Sequence, residues 1–206
     1  LPGLECMALT TASSTNTPEE VTAAVALARS FNVSHRVVTV DELATPGYAD
    51  NPAHRCYLCK QTLYPLCRRV ADEKGYREVA DGMNMDDMGD YRPGLVAAEQ
   101  WGVRHPLVEA GLGKEELRTL SRDYALPTAS RPASPCLSSR FPYGTRITHE
   151  RLGQVARAEA ALKQMGFVEL RVRHLGHGAR VEVAATELDR LSRMADHVSL
   201  AVTTAG

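Results

Sequence analysis

Apolar runs and helical patterns alternate along the first 125 residues, and this alternation constrains the fold more than any other feature of the sequence. Apolar runs at residues 4–10 and 35–40 predict two buried strands. Between them, Thr17-Pro18-Glu19-Glu20 is typical of a helix start, because Thr17 can cap the helix and Glu20 completes a capping box. Strands that alternate with helices indicate an α/β fold with a parallel sheet.

The same alternation continues beyond residue 40. The further predicted elements are helices at 55–74, 93–101 and 114–124 and short strands at 78–81 and 105–108. Parallel sheets bind their ligands beyond the carboxyl ends of the strands. The polar loop from Gly82 to Arg92 follows one such strand end, so it is a candidate site on topology alone.

The chain changes character between residues 127 and 146, where four prolines punctuate a serine-containing stretch. We interpret this stretch as a linker or functional loop. The predicted elements after it are a helix at 149–164 capped by Thr148, strands at 168–173 and 180–183, a helix at 186–194 and a strand at 198–202. We therefore expect an α/β domain at residues 1–145 and a small α+β domain at residues 146–206.

Composition excludes several classes of protein. The net charge is −1, which argues against a chain built mainly to coat nucleic acid. No stretch of eighteen apolar residues is present, so no membrane span is expected. Five cysteines at irregular spacing argue against a disulfide framework and favour a reducing, cytoplasmic setting.

Residues 131–180 carry 9 Lys+Arg against 3 Asp+Glu. Most of these basic residues are arginines, whose planar guanidinium groups suit phosphate and carboxylate. A solvated basic face explains the same excess equally well.

Cys56 and Cys59 form a C-x-x-C motif at a predicted helix start, with Arg55 and Lys60 beside them to favour thiolates. A redox pair, half of a zinc site and part of an iron–sulfur site all use this motif, and two incidental cysteines also fit. Among the remaining cysteines, Cys136 is the best candidate for a third ligand, because it lies in the proline-rich loop and not in an apolar run. Three cysteines without an obvious fourth suggest a site with an open coordination position.

The segment from Asp81 to Asp90 is dense in carboxylates at a predicted strand end. Such a loop can hold Mg²⁺ with its waters and orient a nucleotide. The alternative is a solvated turn. The three methionines of the segment argue against this alternative, because they make the segment partly apolar.

Four blocks of sequence resemble one known family. They are Asn51-Pro52 with Arg55-Cys56-Tyr57-x-Cys59-Lys60, then Asp81-Gly82-x-Asn84-x-Asp86-Asp87-x-x-Asp90-Tyr91-Arg92-Pro93-Gly94, then Pro106-Leu107-x-Glu109-Ala110-Gly111-Leu112-x-Lys114, and last Arg131-Pro132-Ala133-Ser134-Pro135-Cys136-Leu137-Ser138-Ser139-Arg140-x-Pro142-Tyr143-Gly144. The chain resembles the LarE family, the ATP-dependent sulfur transferases of nickel-pincer nucleotide synthesis. The blocks are long, and the resemblance covers nearly the whole chain.

The resemblance implies a PP-loop domain of the adenine-nucleotide α-hydrolase type, followed by a small C-terminal domain. It also implies that ATP and Mg²⁺ adenylate a carboxylate of pyridinium-3,5-biscarboxylic acid mononucleotide, and that sulfur displaces AMP to give a thiocarboxylate. Position by position, Cys136 is the sulfur site, flanked by Ser139 and Arg140. The remaining implied positions are Asp81, Gly82, Asn84 and Asp87 at the nucleotide and Arg171 and Arg173 at the substrate phosphate.

The resemblance leaves the sulfur source open. In the three-cysteine members of the family, cysteines that match Cys56, Cys59 and Cys136 hold a [4Fe-4S] cluster that can carry sulfur. In others, the cysteine that matches Cys136 gives up its own sulfur and becomes dehydroalanine. A non-catalytic zinc or cluster-binding module and a tRNA-thiolating relative are competing hypotheses, although the near-neutral charge counts against the second. The expected partners are the mononucleotide substrate and sulfide or a sulfur donor. We also expect a homo-oligomer, and we expect neither nucleic acid nor a membrane as a partner.

One departure from the family concerns the ATP phosphates. The family begins with a strand and an S-G-G-x-D-S loop, and this sequence contains no such motif. We expect the chain to be a portion of a longer protein, with natural loss of ATP chemistry as the alternative. The chain as it stands is therefore expected to bind ATP poorly, because the backbone donors of that loop are missing.

Overall fold

The structure is a computed structural model that describes residues 5–89 and 92–206. Leu4 of the first predicted strand and Asp90 and Tyr91 of the acidic segment lie outside these residues. Contacts between Cα atoms divide the chain into two compact units. One contains the described residues up to Pro52 together with Pro135–Gly206, and the other is Ala53–Ser134.

This division differs from the expected domain boundary at residue 145. The two-domain organisation with that boundary therefore stays a prediction. The physical reason for the difference is a set of contacts that tie residues after 135 to the beginning of the chain. The Leu137 N–H donates to the Thr15 carbonyl at 2.8 Å, and the Asn51 amide donates to the Pro142 carbonyl at 2.7 Å.

The first unit begins with a strand–helix–strand motif. Strand β1 (Met7–Ala12) and strand β2 (Ser34–Thr39) pair in parallel, and helix α1 (Pro18–Ser30) connects them. The predicted capping box is confirmed, since the Glu20 N–H donates to Thr17 Oγ1 and the Thr17 N–H donates to Glu20 Oε2. The parallel pairing confirms the α/β class in its general form.

The second unit is built around helix α2 (Arg55–Lys74), whose predicted bounds are confirmed. Gly75 closes it with φ +77°, a conformation that a glycine adopts without steric cost. Helix α3 (Gly94–Gln100) packs against α2. The buried residues at this contact are Tyr64, Ala97, Ala98 and Val103.

Two predicted strands of the second unit are wrong. Within the described residues, the one pairing here is an isolated parallel bridge between Ala80 of the first predicted strand and Arg104, the residue before the second. Pro106 has no N–H to continue a ladder, and it begins the short helix α4 (Pro106–Glu109) instead. Helix α5 (Lys114–Asp123) follows as predicted.

The first unit is completed by helix α6 (His149–Gln164), strands β3 (Leu170–His174) and β4 (Ala179–Val183), and helices α7 (Leu188–Arg193) and α8 (Ala195–Thr204). β3 and β4 form an antiparallel hairpin. The core beneath them contains Ala158, Leu162, Phe167, Leu170, Val172, Val198 and Ala205.

The predicted strand at 198–202 is wrong, because these residues lie in α8. Val198 and Val202 are four residues apart and both contact the core, as residues on one helical face do. A short apolar run does not by itself distinguish a strand from a buried helix. No helix in the described part of the chain has the length and apolar character needed to span a lipid bilayer.

Candidate active site

A cavity of about 470 Å³ lies in the second unit. One wall is the face of α2 that carries Cys56, Lys60 and Tyr64, which are spaced four residues apart and therefore lie one above another. The rest of the lining comes from Asp81, Gly82, Met83, Asp87, Arg92, Pro93, Gly94 and Leu95. The cavity thus brings the predicted nucleotide-binding residues Asp81, Gly82 and Asp87 together with one cysteine of the C-x-x-C motif.

Asp81 is held by three donors. Tyr64 Oη donates to Oδ2 at 2.9 Å, His105 Nδ1 lies 2.7 Å from Oδ1, and the Met83 N–H donates to Oδ1 at 3.1 Å. Burial alone would raise the pKa of this carboxyl, but the hydrogen bonds outweigh it and the pKa lies below its ordinary value. Burial raises the pKa of Tyr64, which therefore remains a hydrogen-bond donor at neutral pH.

Asp87 is buried and lies between two cations. Arg92 Nη2 lies 2.6 Å from Oδ1 and Lys114 Nζ lies 3.7 Å from the same atom, while the Asn84 N–H donates to Oδ2. Asn84 is also buried, and its side-chain oxygen accepts the Asp86 N–H at 3.1 Å. Met85–Gly89 of the acidic segment form a 3-10 turn, and Asp81, Asp86 and Asp87 already accept hydrogen bonds. A Mg²⁺ ion bound there would compete with these donors.

Cys56 and Cys59 lie in the first turn of α2, where Cys56 is exposed and Cys59 half-buried. Gly94 allows the start of α3 to approach them, because a Cβ at this position would lie 3.2 Å from Lys60 Cγ and 3.7 Å from the Cys56 carbonyl. The two cysteines are three positions apart on one helix, the spacing of a C-x-x-C ligand pair.

Cys136 lies in the first unit, directly before a 3-10 turn at Leu137–Arg140, and its side chain is half-buried. Contacts from distant parts of the chain hold this turn in place. Tyr48 Oη lies 2.8 Å from Ser138 Oγ in a fully buried contact, and the Phe141 ring stacks on His174 with centroids 5.1 Å apart. The turn that follows Cys136 is therefore anchored to distant residues of the same unit.

Arg140 is buried and makes an ion pair with Glu159 of α6. Arg140 Nε and Nη2 donate to Glu159 Oε1 and Oε2 at 2.8 and 3.1 Å, and only 5% and 3% of the two side chains are exposed. Arg140 Nη1 donates to the Pro135 carbonyl and to Ser139 Oγ, at 2.8 and 2.9 Å. This guanidinium therefore braces the loop that carries Cys136.

Arg171 and Arg173 lie on the same side of β3, since they alternate with buried Val172. Arg173 Nη1 donates to the Ser139 carbonyl at 2.8 Å, and its Nε donates to Glu182 of β4 at 2.9 Å. Arg171 lies opposite Glu182 in the hairpin and lines a surface cavity of about 410 Å³. Arg173 of the predicted phosphate-binding pair thus contacts the Cys136 loop, whereas Arg171 lines a separate surface cavity.

Arg140 and Arg173 were predicted from the sequence, but their acidic partners Glu159 and Glu182 were not. Glu159 lies seven residues after Leu152 and four after Val155, on the apolar stripe of α6. A carboxylate at such a position signals a buried pair. Among residues 5–89 and 92–206, no three His, Cys, Asp or Glu side chains are arranged as ligands of one metal ion.

Three proteins are similar to this chain. The uncharacterized protein slr1717 of Synechocystis sp. is 42% identical over 91% of the chain. The pyridinium-3,5-bisthiocarboxylic acid mononucleotide synthase of Lactiplantibacillus plantarum is 36% identical over 81% of it. The uncharacterized protein MJ0830 of Methanocaldococcus jannaschii is 27% identical over 78%. No family model matches the chain.

The alignments cover 70%, 60% and 61% of the three relatives, respectively. The chain therefore spans between about three fifths and seven tenths of the length of the proteins it resembles.

Proposed function

We propose that this chain is a member of the LarE family and an ATP-dependent sulfurtransferase of nickel-pincer nucleotide biosynthesis. Its substrate is pyridinium-3,5-biscarboxylic acid mononucleotide, and its product carries a thiocarboxylate. The proposal rests on the similarity of the chain to the pyridinium-3,5-bisthiocarboxylic acid mononucleotide synthase of Lactiplantibacillus plantarum.

One observation carries the proposal: Arg173, a cation suited to phosphate, donates to the carbonyl of Ser139, three residues from the Cys136 thiol. A mononucleotide whose phosphate contacts Arg173 would lie close to the loop that bears this thiol. Arg171 on the same side of β3 supplies a second cation.

The reaction requires two displacements. A substrate carboxylate oxygen attacks the α-phosphorus of ATP and pyrophosphate leaves, which makes the acyl adenylate. A sulfur nucleophile then attacks the acyl carbon, and AMP leaves with the carbon–oxygen bond electrons. The cavity of the second unit fits the nucleotide part of this chemistry, since Lys60 and Arg92 line it beside Asp81 and Asp87.

The resemblance to the LarE family implies Cys56, Cys59 and Cys136 as three thiolate ligands. Soft thiolates are the ligands that iron–sulfur clusters use. We propose that these three residues hold a [4Fe-4S] cluster, which when bound would supply an iron with an open position for added sulfide.

The alternative uses Cys136 alone. Its thiolate would attack the acyl adenylate to form a thioester, a base would remove the Cα proton, and the Cβ–S bond would break. The product would then carry the cysteine sulfur, and residue 136 would become dehydroalanine.

The experiment is turnover by the full-length protein, purified without oxygen, with the mononucleotide, Mg·ATP and excess sulfide. We expect thiocarboxylate and AMP in equal amounts, several per protein, with Cys136 unchanged in the peptide mass. Cys56→Ser should abolish repeated turnover, and Cys67→Ser serves as the matched control. Dehydroalanine at position 136 in one-to-one yield, with activity that survives Cys56→Ser, would show that the sulfur comes from Cys136 by the sacrificial route and not through a cluster. Absence of both AMP and thiocarboxylate would overturn the proposed function.

A further inference from the structure

Glu159 is a carboxylate in a position where the helix pattern calls for an apolar residue. It lies on the buried face of α6 with Leu152, Val155 and Leu162, and its side chain is 3% exposed. Burying a carboxylate is costly unless cations and hydrogen bonds compensate it. The groups that donate hydrogen bonds to this carboxylate should therefore indicate its structural role.

The carboxylate joins two different elements. Oε1 accepts from Arg140 Nε at 2.8 Å and from the Val172 N–H of β3 at 3.0 Å, while Oε2 accepts from Arg140 Nη2 at 3.1 Å. Glu159 thus links the end of the Cys136 loop to the strand that carries Arg173.

These contacts close into a ring. Val172 is followed in the chain by Arg173, whose Nη1 donates to the Ser139 carbonyl, and Ser139 Oγ accepts from Arg140 Nη1. Starting from Glu159, the ring runs through Val172, Arg173, Ser139 and Arg140 and returns to Glu159. A closed ring of hydrogen bonds fixes the relative position of its members more strictly than any one bond does.

We propose that Glu159 is a positioning residue that sets the Cys136 loop at a defined distance from Arg173. The proposal rests on the proposed function, in which Arg173 binds the substrate phosphate and Cys136 serves the sulfur step. Glu159 itself touches neither substrate nor sulfur in this scheme. It holds the thiol loop where a phosphate-anchored substrate presents its activated carboxyl.

The Arg140–Glu159 pair is not explained by stability alone. Replacing a buried ion pair with apolar side chains of similar volume is often neutral or stabilising. The double variant Arg140→Met with Glu159→Leu therefore tests positioning separately from folding, since it removes the ring without leaving an unpaired buried charge.

The first measurement does not depend on enzyme activity. Iodoacetamide modification of Cys136 is followed by peptide mass in the full-length protein, at a temperature where far-UV circular dichroism shows the fold intact. We expect the half-buried thiol to react about tenfold faster in Glu159→Gln and in the double variant, because the loop is no longer braced. Glu159→Asp keeps the charge on a shorter side chain and should show a smaller increase.

Val198→Ala is the matched control for lost stability. It removes two methyl groups from the core of the same unit and should leave the Cys136 reaction rate within about twofold of the unaltered protein. Equal acceleration in Val198→Ala would show that loosening of the whole unit, and not loss of the ring, exposes the thiol, and would overturn the proposal.

The second measurement separates this proposal from the proposed function. In the double variant, thiocarboxylate formation should fall at least tenfold while the KM for the mononucleotide changes less than threefold, since Arg173 remains. A folded double variant with unaltered thiol reactivity and turnover would overturn the positioning role alone. Failure of the unaltered protein to make thiocarboxylate would overturn the proposed function, and the alkylation rates would still decide whether Glu159 positions the loop.

Discussion

Asp81 Oδ1 and His105 Nδ1 lie 2.7 Å apart, although 24 residues separate them in the chain. The contact joins the start of the acidic segment to the residue before α4, because Asp81 and His105 each directly follow one member of the isolated parallel bridge between Ala80 and Arg104. Because the Asp81 carboxylate is ionised, the imidazole donates the hydrogen bond. The pair therefore stabilises one wall of the cavity in the second unit by a hydrogen bond to an ionised carboxylate, at a point where the described residues form only an isolated bridge.

Asp81→Asn should lower stability in a pH-dependent way. The pKa of Asp81 is below its ordinary value in the folded state, so its contribution is present above the unfolded carboxyl pKa of about 3.9 and is lost as the pH falls through the lower folded value. We expect a loss of about 1–2 kcal/mol in the free energy of unfolding at pH 7. Urea unfolding measured from pH 7 to pH 3 should show the difference shrinking below about pH 4.

The control for this prediction is Asp123→Asn in the same unit, which changes an exposed carboxylate. Its effect should stay within about 0.5 kcal/mol at every pH. An Asp81→Asn difference that is constant with pH would contradict the role assigned to the ionised carboxylate.

Glu182→Gln should strengthen phosphate binding. Burial would raise the pKa of Glu182, but hydrogen bonds from Arg173 and Arg180 outweigh it and hold the pKa below its ordinary value, so the group is ionised at neutral pH. Its charge competes with a phosphate for Arg173. We expect the amide variant to bind the pyridinium mononucleotide roughly three- to tenfold more tightly by calorimetry, about 0.6–1.4 kcal/mol.

Arg173→Ala should have the opposite effect, with roughly tenfold weaker mononucleotide binding and little change in the affinity of the full-length protein for ATP.

Glu187→Gln is the control for Glu182→Gln, because the Glu187 carboxylate lies 3.9 Å from Arg190 in the same unit and not beside Arg173. Weaker mononucleotide binding by Glu182→Gln would mean that the carboxylate orients the guanidinium more than it competes for it.

Tyr48→Phe should destabilise the Cys136 loop. The Tyr48 hydroxyl lies 2.8 Å from Ser138 Oγ, and both side chains are fully buried. Removing one member of a buried polar pair costs about 1–2 kcal/mol of unfolding free energy. Thermal unfolding should show the loss, whereas Tyr143→Phe, at a residue that is 66% exposed, should be nearly neutral.

Each of the three proposed cluster ligands should be needed for the cluster. Anaerobic preparations of the unaltered protein should be brown and contain about four irons per chain, as a [4Fe-4S] cluster requires. Serine at position 56, 59 or 136 should remove most of the colour and iron, while Cys67→Ser and Cys6→Ser should retain both. Full iron content in a Cys136→Ser variant would show that Cys136 is not a ligand.

Local signals predicted the helices well. The capping box at Thr17, the cap at Thr148 and the closing glycine at position 75 are all observed, because each depends on residues within four positions of one another. The short strands were predicted less well. A strand needs a partner from elsewhere in the chain. Residues 78–81 and 198–202 were both predicted to be strands, but the first segment contributes Ala80 to an isolated bridge and the second lies in a helix.

The sequence by itself determined which residue types are available for chemistry: the C-x-x-C pair, the thiol of Cys136, the acidic segment and the arginines at 140, 171 and 173. Only the tertiary structure decided what faces each of them. Arg140 and Glu159 lie 19 residues apart, and Arg173 lies 34 residues from Ser139. A charged side chain finds such a partner only when packing of α6 and β3 excludes water around it, because the interaction is strong in the buried interior and weak in solvent.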